Sequence, residues 1–224
     1  MARKQTHTRP TIARQLASMR RAVGGGSLPS VSELARRDRD PFRILVSTIL
    51  SLRTRDEVTE AASERLFALA DSPRALARLD LREIERAIYP AGFYRTKART
   101  VRDVARRLEA EFGGRVPDTI DALLAFKGVG RKTAALVVSL GYNRPAICVD
   151  THVHRISNRL GWVKTKTPDE TERALMDAVA RRHWIGINET MVGFGQQVCV
   201  PVSPKCSLCP LEKTCPRLGV TRSR

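Results

Sequence analysis

The sequence predicts an all-α fold, and three observations carry that reading. Apolar residues recur at helical spacing in nearly every segment. Alternating, β-branched runs that would mark strands are few. The chain has 224 residues, 42% of them hydrophobic, enough to bury a real core as one large domain or two intimate ones.

The elements follow in order. Residues 1–23 contain no acid, and Ile12, Leu16, Met19 and Val23 mark one face of a basic helix. So clean a stripe favours packing on the body of the protein over an organelle-targeting peptide, which would share the basic, amphipathic character. Gly24-Gly25-Gly26-Ser27 ends that helix in a flexible connection. From Pro41, the stripe Phe42, Leu45, Val46 and Ile49 is apolar enough for the middle of a core. Thr54 with Glu57 predicts a capping box for the next helix, with Val58, Ala61 and Ala62 on its inner face. Ser72-Pro73 and Asp80 open two shorter helices, closed by Tyr89-Pro90-Ala91-Gly92. A longer helix runs from Lys97 to Phe112 through Val101, Val104, Ala105 and Leu108, and Gly113-Gly114 stops it. Ala146 to Val149 is a short apolar run, and Val153 to Leu160 resumes as a helix. Thr167-Pro168 with Glu170 starts another through Leu175, Val179 and Ala180. A last helix from about Asn188 runs into Gly193-Phe194-Gly195.

Charge narrows the partner. Forty Lys and Arg against 23 Asp and Glu give a formal net charge of +17 and a pI near 10.8, which points to a polyanion, nucleic acid first. No run of about eighteen apolar residues exists to span a membrane. Four of the five cysteines lie in the last 26 residues with no signal-peptide stretch, so a reducing compartment and a metal site are expected rather than a secreted disulfide framework.

Two stretches carry chemistry. Ile120, Leu123 and Leu124 share a helical face, Gly128-Val129-Gly130 breaks it, and Ala134, Val137 and Val138 resume one beyond. This is a helix-hairpin-helix, whose glycines let backbone approach a phosphate and whose second helix offers N–H groups and a positive dipole end. Gly128, Val129, Gly130 and Arg131 would hold a nucleic-acid backbone, with Lys132 just past the tip. Eighteen residues further stands a carboxylate, in Val149-Asp150-Thr151-His152. The second stretch is Cys199, Cys206, Cys209 and Cys215, spaced C-x6-C-x2-C-x5-C. Four thiolates so close can wrap a four-iron cluster or a tetrahedral zinc. Lys205, Lys213 and Arg217 on that loop could meet phosphates. Cys148 stands apart and reads as a small buried apolar residue.

Lys127-Gly128-Val129-Gly130-Arg131-Lys132-Thr133-Ala134, then Val149-Asp150-Thr151-His152, then the cysteine spacing, resemble the endonuclease III family of DNA base-excision glycosylases over about Glu33 to Cys215. The resemblance implies two helical domains with damaged duplex DNA in the cleft between them. Residues 34–144 would form a six-helix barrel with the helix-hairpin-helix. Residues 1–33 and 145–224 would form a domain built from both termini around a [4Fe-4S] cluster on the four cysteines. Lys132 and Asp150 would face each other at the cleft mouth. The implied activity is that of a bifunctional glycosylase and AP lyase on oxidised pyrimidines, monomeric, cytoplasmic and nucleoid-associated. A monofunctional mismatch glycosylase would not need Lys132, and a non-catalytic DNA-binding module would not need both Lys132 and Asp150.

The residues suit that chemistry. A lysine amine attacks the sugar C1′ only when neutral, and a helix N-terminus with basic neighbours disfavours the ammonium. Asp150 is suited to stabilise the positive charge that develops on the sugar. As bland alternatives, a lysine after a glycine turn is a phosphate contact, and an Asp before Thr-His a helix cap. His152 matches a position near the catalytic groups of the family. Two probes of the opposite strand depart from the family pattern. Arg53 stands where members commonly carry a glutamine that fills the gap left by the flipped base, and Phe93 occupies a wedge position usually held by an aliphatic residue.

Overall fold

The computed structural model describes residues 11–24 and 29–224. Among them every regular element is helical. Gly25, Gly26 and Ser27 of the expected glycine-rich connection lie outside the described residues. By its contacts the chain separates into Leu28–Cys148 and a second unit of Met1–Ser27 with Val149–Arg224. The boundaries thus fall at 28 and 148, against the expected 34 and 144. The reason is local: the helix Ser30–Arg37 packs on Pro41–Ser51, and the Cys148 thiol reaches the Lys132 carbonyl at 3.8 Å.

The first unit is assembled around α2 (Pro41–Ser51), with α1 being Ser30–Arg37. Asp40 caps α2 by accepting from Phe42 N, with Pro41 at its first turn. Every residue from Ile44 to Leu50 is buried, Ser47 and Thr48 included, so α2 runs through the core rather than along its edge. Around it lie α3 (Asp56–Leu69), α4 (Pro73–Arg78), α5 (Leu81–Ile88), α6 (Tyr94–Phe112), α7 (Ile120–Leu124) and α8 (Arg131–Leu136).

The expected starts at Ser72 and Asp80 hold. Ser72 accepts from Ala75 N, and Asp80 with Glu83 forms a capping box. Gly113, at φ 59, ends α6 as expected. The capping box at Thr54 does not form: α3 starts at Asp56, and its buried face is Thr59, Ala62, Ser63, Leu66 and Phe67. The Thr54 hydroxyl is used elsewhere, as shown below.

The second unit contains α9 (Ile12–Ala22), α10 (Thr151–Arg159), α11 (Pro168–Ala178) and α12 (Trp184–Gln197). The basic helix α9 packs on α12, burying Leu16 and Met19. Arg20 Nε donates to Thr190 Oγ1 at 3.0 Å, and Trp162 Nε1 donates to Gln15 Oε1 at 2.6 Å. This helix is therefore built into the body. Thr167 caps α11 by accepting from Glu170 N, as expected, but the helix stops at Ala178. No helix among the described residues is long and apolar enough to cross a membrane.

Candidate active site and cysteine cluster

The hairpin joins α7 to α8. Phe126 and Val129 turn inward, and Val129 N donates to the Phe126 carbonyl at 3.1 Å. Lys127, Gly128 and Gly130 face solvent. Val129, expected among the nucleic-acid contacts, is only 5% exposed, so its side chain anchors the tip in the core. The two glycines differ physically. Gly128 has φ 87, and a Cβ there would stand 2.6 Å from Thr100 Cγ2, so both backbone and packing require glycine. Gly130 is the N-cap of α8 at φ −93, with nothing within 4 Å of a Cβ. Its smallness leaves open space outside the chain.

Lys132 is exposed in the first turn of α8, whose opening N–H groups precede any intrahelical acceptor. Behind it Thr133, Ala134 and Ala135 are buried, and the helix continues as a π-helical turn at Val137–Gly141. The base of Lys132 is thus rigid while its amine is free to reach a ligand.

Asp150 is half-buried and caps α10: one carboxylate oxygen, Oδ1, accepts from His152 N and Val153 N, each at 2.9 Å. The bland cap reading is therefore correct, and it fixes the carboxylate against rotation. His152 is half-buried against α12, where a Cβ on Gly195 would stand 2.4 Å from its Nδ1. Arg155 Nη2 lies 3.1 Å from the same nitrogen. A guanidinium only donates, so Nδ1 accepts and the ring proton sits on Nε2.

Arg155 and Arg159 were not singled out by sequence, yet they connect α10 to the cysteine loop. Arg155 Nη2 also donates to the carbonyls of Gly195 and Cys199, and Arg159 donates to those of Val200 and Pro201. Arg159 Nη1 is 3.5 Å from Cys199 Sγ. Burial lowers the pKa of Arg155, an effect that Cys199 and Asp150 oppose and Arg159 reinforces. Their four-residue spacing on one helix face was the available signal.

The four cysteines line one cavity with Ile156, Phe194 and Leu211. Leu211 N donates to Cys209 Sγ and Arg217 N to Cys215 Sγ, each at 3.4 Å. Burial pushes the Cys209 thiol up to about 11; the Leu211 N–H opposes this, and Cys215, Cys199 and Cys206 add to it. Burial raises Cys215 as well. Among the described residues no three His, Cys, Asp or Glu converge tightly enough for a single metal ion. The four sulfur donors, the N–H groups aimed at two of them and the apolar wall fit a sulfur-ligated metal centre. Lys205 is half-buried at the edge of the same cavity. Arg217, a further expected phosphate contact, is paired with Glu212 at 2.9 Å. Cys148 is buried, as expected of an apolar residue.

Arg53 and Phe93 are both exposed, and both have left-handed backbone, φ 52 and φ 58. The residue that organises them was missed by sequence. Lys97 is 6% exposed, and its Nζ donates to Leu50 O, Leu52 O and Thr54 Oγ1 at 2.7, 2.6 and 2.7 Å. Its signal was a charge four residues before Val101, on the apolar face of its helix.

Residues 46–181 match the model of the HhH-GPD superfamily of base excision DNA repair proteins. The chain is 49% identical over 179 residues to endonuclease III of Thermotoga maritima, covering 80% of this chain and 84% of that protein. It is 43% identical over 184 residues to the chloroplastic endonuclease III homolog 2 of Arabidopsis thaliana, covering 78% of this chain and 48% of that one. A solved structure of a trapped endonuclease III–DNA covalent intermediate, an estranged-adenine complex, superposes with TM-score 0.81 at 34% identity, over 92% of this chain and 94% of that one. The chain belongs to the HhH-GPD superfamily of base excision DNA repair proteins and, within it, to the endonuclease III family.

Proposed function

We propose that the protein is a bifunctional DNA glycosylase and AP lyase that removes oxidised pyrimidines from duplex DNA. The observation that carries this reading is Lys132: an exposed amine on a rigid helical base, directly after a hairpin whose tip is open at Gly130. In a related structure a protein–DNA covalent intermediate was trapped. A binding module would have no use for a nucleophile there.

In the proposed reaction the damaged nucleotide leaves the stack, and the neutral Lys132 amine forms a bond to C1′ as the glycosidic bond breaks. The electron pair departs with the base. Asp150, held by the two N–H groups of α10, stabilises the positive charge that develops on the sugar. Ring opening gives a protonated Schiff base, and loss of a C2′ proton expels the 3′ phosphate by β-elimination. The exposed backbone at Gly128 and Gly130, with Arg131, grips backbone phosphates, and the excess positive charge supplies non-specific attraction. His152 and Lys205 belong to the same DNA-facing set.

The four cysteines hold a [4Fe-4S] cluster in this reading. Four half-buried cysteines share one cavity, and thiolates gathered that closely are stable together only around cations. When bound, the cluster would fix the shape of the loop from Cys199 to Cys215. Purified protein is expected to be yellow-brown and to contain iron and labile sulfide; zinc without iron refutes the cluster. We place the protein as a monomer in the cytoplasm, at the nucleoid.

The test of the activity is borohydride trapping on a thymine-glycol duplex and an abasic duplex. A covalent adduct is expected on both. No adduct on either removes the lyase, and Lys132→Ala retaining the adduct removes Lys132 as the nucleophile. Base release without an adduct would instead identify a monofunctional enzyme.

A further inference from the structure

Forty residues of sequence separate Arg53 from Phe93, yet their loops are joined. The Arg53 guanidinium stands 5.7 Å from the centroid of the Phe93 ring. Gly92 N donates to Thr54 Oγ1 at 3.1 Å, and Gly92 lies so close to the Arg53 carbonyl that a Cβ would be 2.5 Å from its oxygen. Only glycine permits that approach. Two adjoining residues with side chains in left-handed backbone are held by their surroundings, since each conformation costs about 1–2 kcal/mol alone.

Lys97 lies behind both loops. Its ammonium has three protons, and all three have oxygen acceptors. Leu50 and Leu52 sit at the C-terminal end of α2, where unpaired carbonyls and the negative dipole end favour a cation. Thr54 Oγ1 receives a hydrogen bond from Lys97 on one side and from Gly92 on the other. This is why the Thr54 hydroxyl does not cap α3. Arg65 braces the second loop from α3, donating to the carbonyls of Ala87 and Tyr89 at 2.8 and 2.6 Å.

We propose that Lys97 is a positioning residue that locks the Arg53 and Phe93 loops together, so that the two side chains enter the gap left by an everted nucleotide as one stacked element reading the opposite base. The proposal rests on the glycosylase reading above. It goes beyond that reading by making opposite-strand recognition depend on a buried residue that touches no DNA. With Lys97 intact, the backbones that carry the two probes are joined through Thr54. With it gone, Leu50 O, Leu52 O and Thr54 Oγ1 lose their common donor, and the junction of the two loops is weakened to the bond from Gly92 N to Thr54 Oγ1.

The test places 2-aminopurine opposite a tetrahydrofuran abasic analogue in duplex DNA, and reads its fluorescence at saturating protein, with binding followed by anisotropy of a distal label. Wild type is expected to raise the fluorescence as the base unstacks. Lys97→Met is expected to lose at least threefold of that rise at full saturation, and to add no further loss in a Phe93→Ala background. Thr54→Val keeps two of the three Lys97 bonds and removes the bridge to Gly92; it should lose at least twofold, and it decides the matter alone if Lys97→Met does not fold. Wild-type fluorescence in a folded, saturated Thr54→Val complex overturns the proposal, as does a Lys97→Met loss that simply adds to that of Phe93→Ala. Failure of the borohydride trap would overturn the lyase instead, because the abasic analogue cannot form a Schiff base and this fluorescence does not depend on one.

Discussion

The guanidinium of Arg53 lies over the ring of Phe93, 5.7 Å from its centroid, with 64% of the Phe93 surface exposed. The left-handed backbone is uncommon for so bulky a residue, and the exposed ring is available to meet a base. Base stacking on an aromatic ring is worth about 1–3 kcal/mol. Phe93→Ala should therefore weaken binding to an abasic duplex by about tenfold or more, while leaving the thermal midpoint nearly unchanged. Arg53→Gln, which restores the residue common in the family, should change the ratio of rates across the four opposite bases by more than it changes the mean rate. Single-turnover kinetics on four duplexes differing only in the opposite base would show this; identical ratios would count against Arg53 as a reader.

Asp150 has two tasks that substitutions separate. Asn can still accept from His152 N and Val153 N, so Asp150→Asn should hold the α10 cap and the wild-type melting curve. It loses the negative charge, and base release should fall by about a hundredfold or more. Asp150→Ala should lose the same activity and about 1 kcal/mol of stability besides. Equal melting of the two variants would mean that the cap contributes nothing; unchanged base release in Asp150→Asn would remove the carboxylate from the reaction.

The hairpin glycines give a second separation. Gly128→Ala places a methyl 2.6 Å from Thr100 Cγ2 at φ 87, and should destabilise the fold by roughly 1–3 kcal/mol. Gly130→Ala meets nothing within 4 Å at φ −93 and should melt close to wild type. Its methyl would stand where a phosphate must approach, so affinity for undamaged duplex should drop several-fold. Paired calorimetry and filter binding measure both. A Gly130→Ala protein with full affinity would leave the hairpin tip without a role in binding.

These residues also show what the sequence could express. The helices were legible because caps at Ser72, Asp80 and Thr167 and the stop at Gly113 use local chemistry. The hairpin was legible as a pattern, but the different reasons for its two glycines were not, since only Gly128 has Thr100 against it, and Thr100 is distant in sequence. Thr54 was misread for the same reason. Its neighbours permit a capping box, and a lysine 43 residues away takes the hydroxyl instead. Arg155 and Arg159 likewise serve carbonyls about forty residues on. Local propensity was readable; long-range partners of polar side chains were not.

Lys97 yields a prediction with a definite sign. Burial withdraws its ammonium from water, and even with three oxygen acceptors its pKa falls from 10.5 to about 8. Below pH 8 the side chain is protonated in both folded and unfolded chains and contributes no slope. Between about 8 and 10.5 the unfolded chain holds a proton that the folded chain has shed. Stability then rises with pH, by at most about 1.4 kcal/mol per unit. Other lysines and tyrosines titrate in the same window, so the informative quantity is the difference between wild type and Lys97→Met in chemical denaturation. At neutral pH that difference should favour wild type by about 1–3 kcal/mol, because the variant leaves Leu50 O without its side-chain donor and takes one donor each from Leu52 O and Thr54 Oγ1. It should widen from pH 8 to 10 and be flat from pH 6 to 7.5. A difference that narrows above pH 8 would mean that the three hydrogen bonds hold the proton more tightly than water does, and that burial is the weaker of the two effects at this lysine.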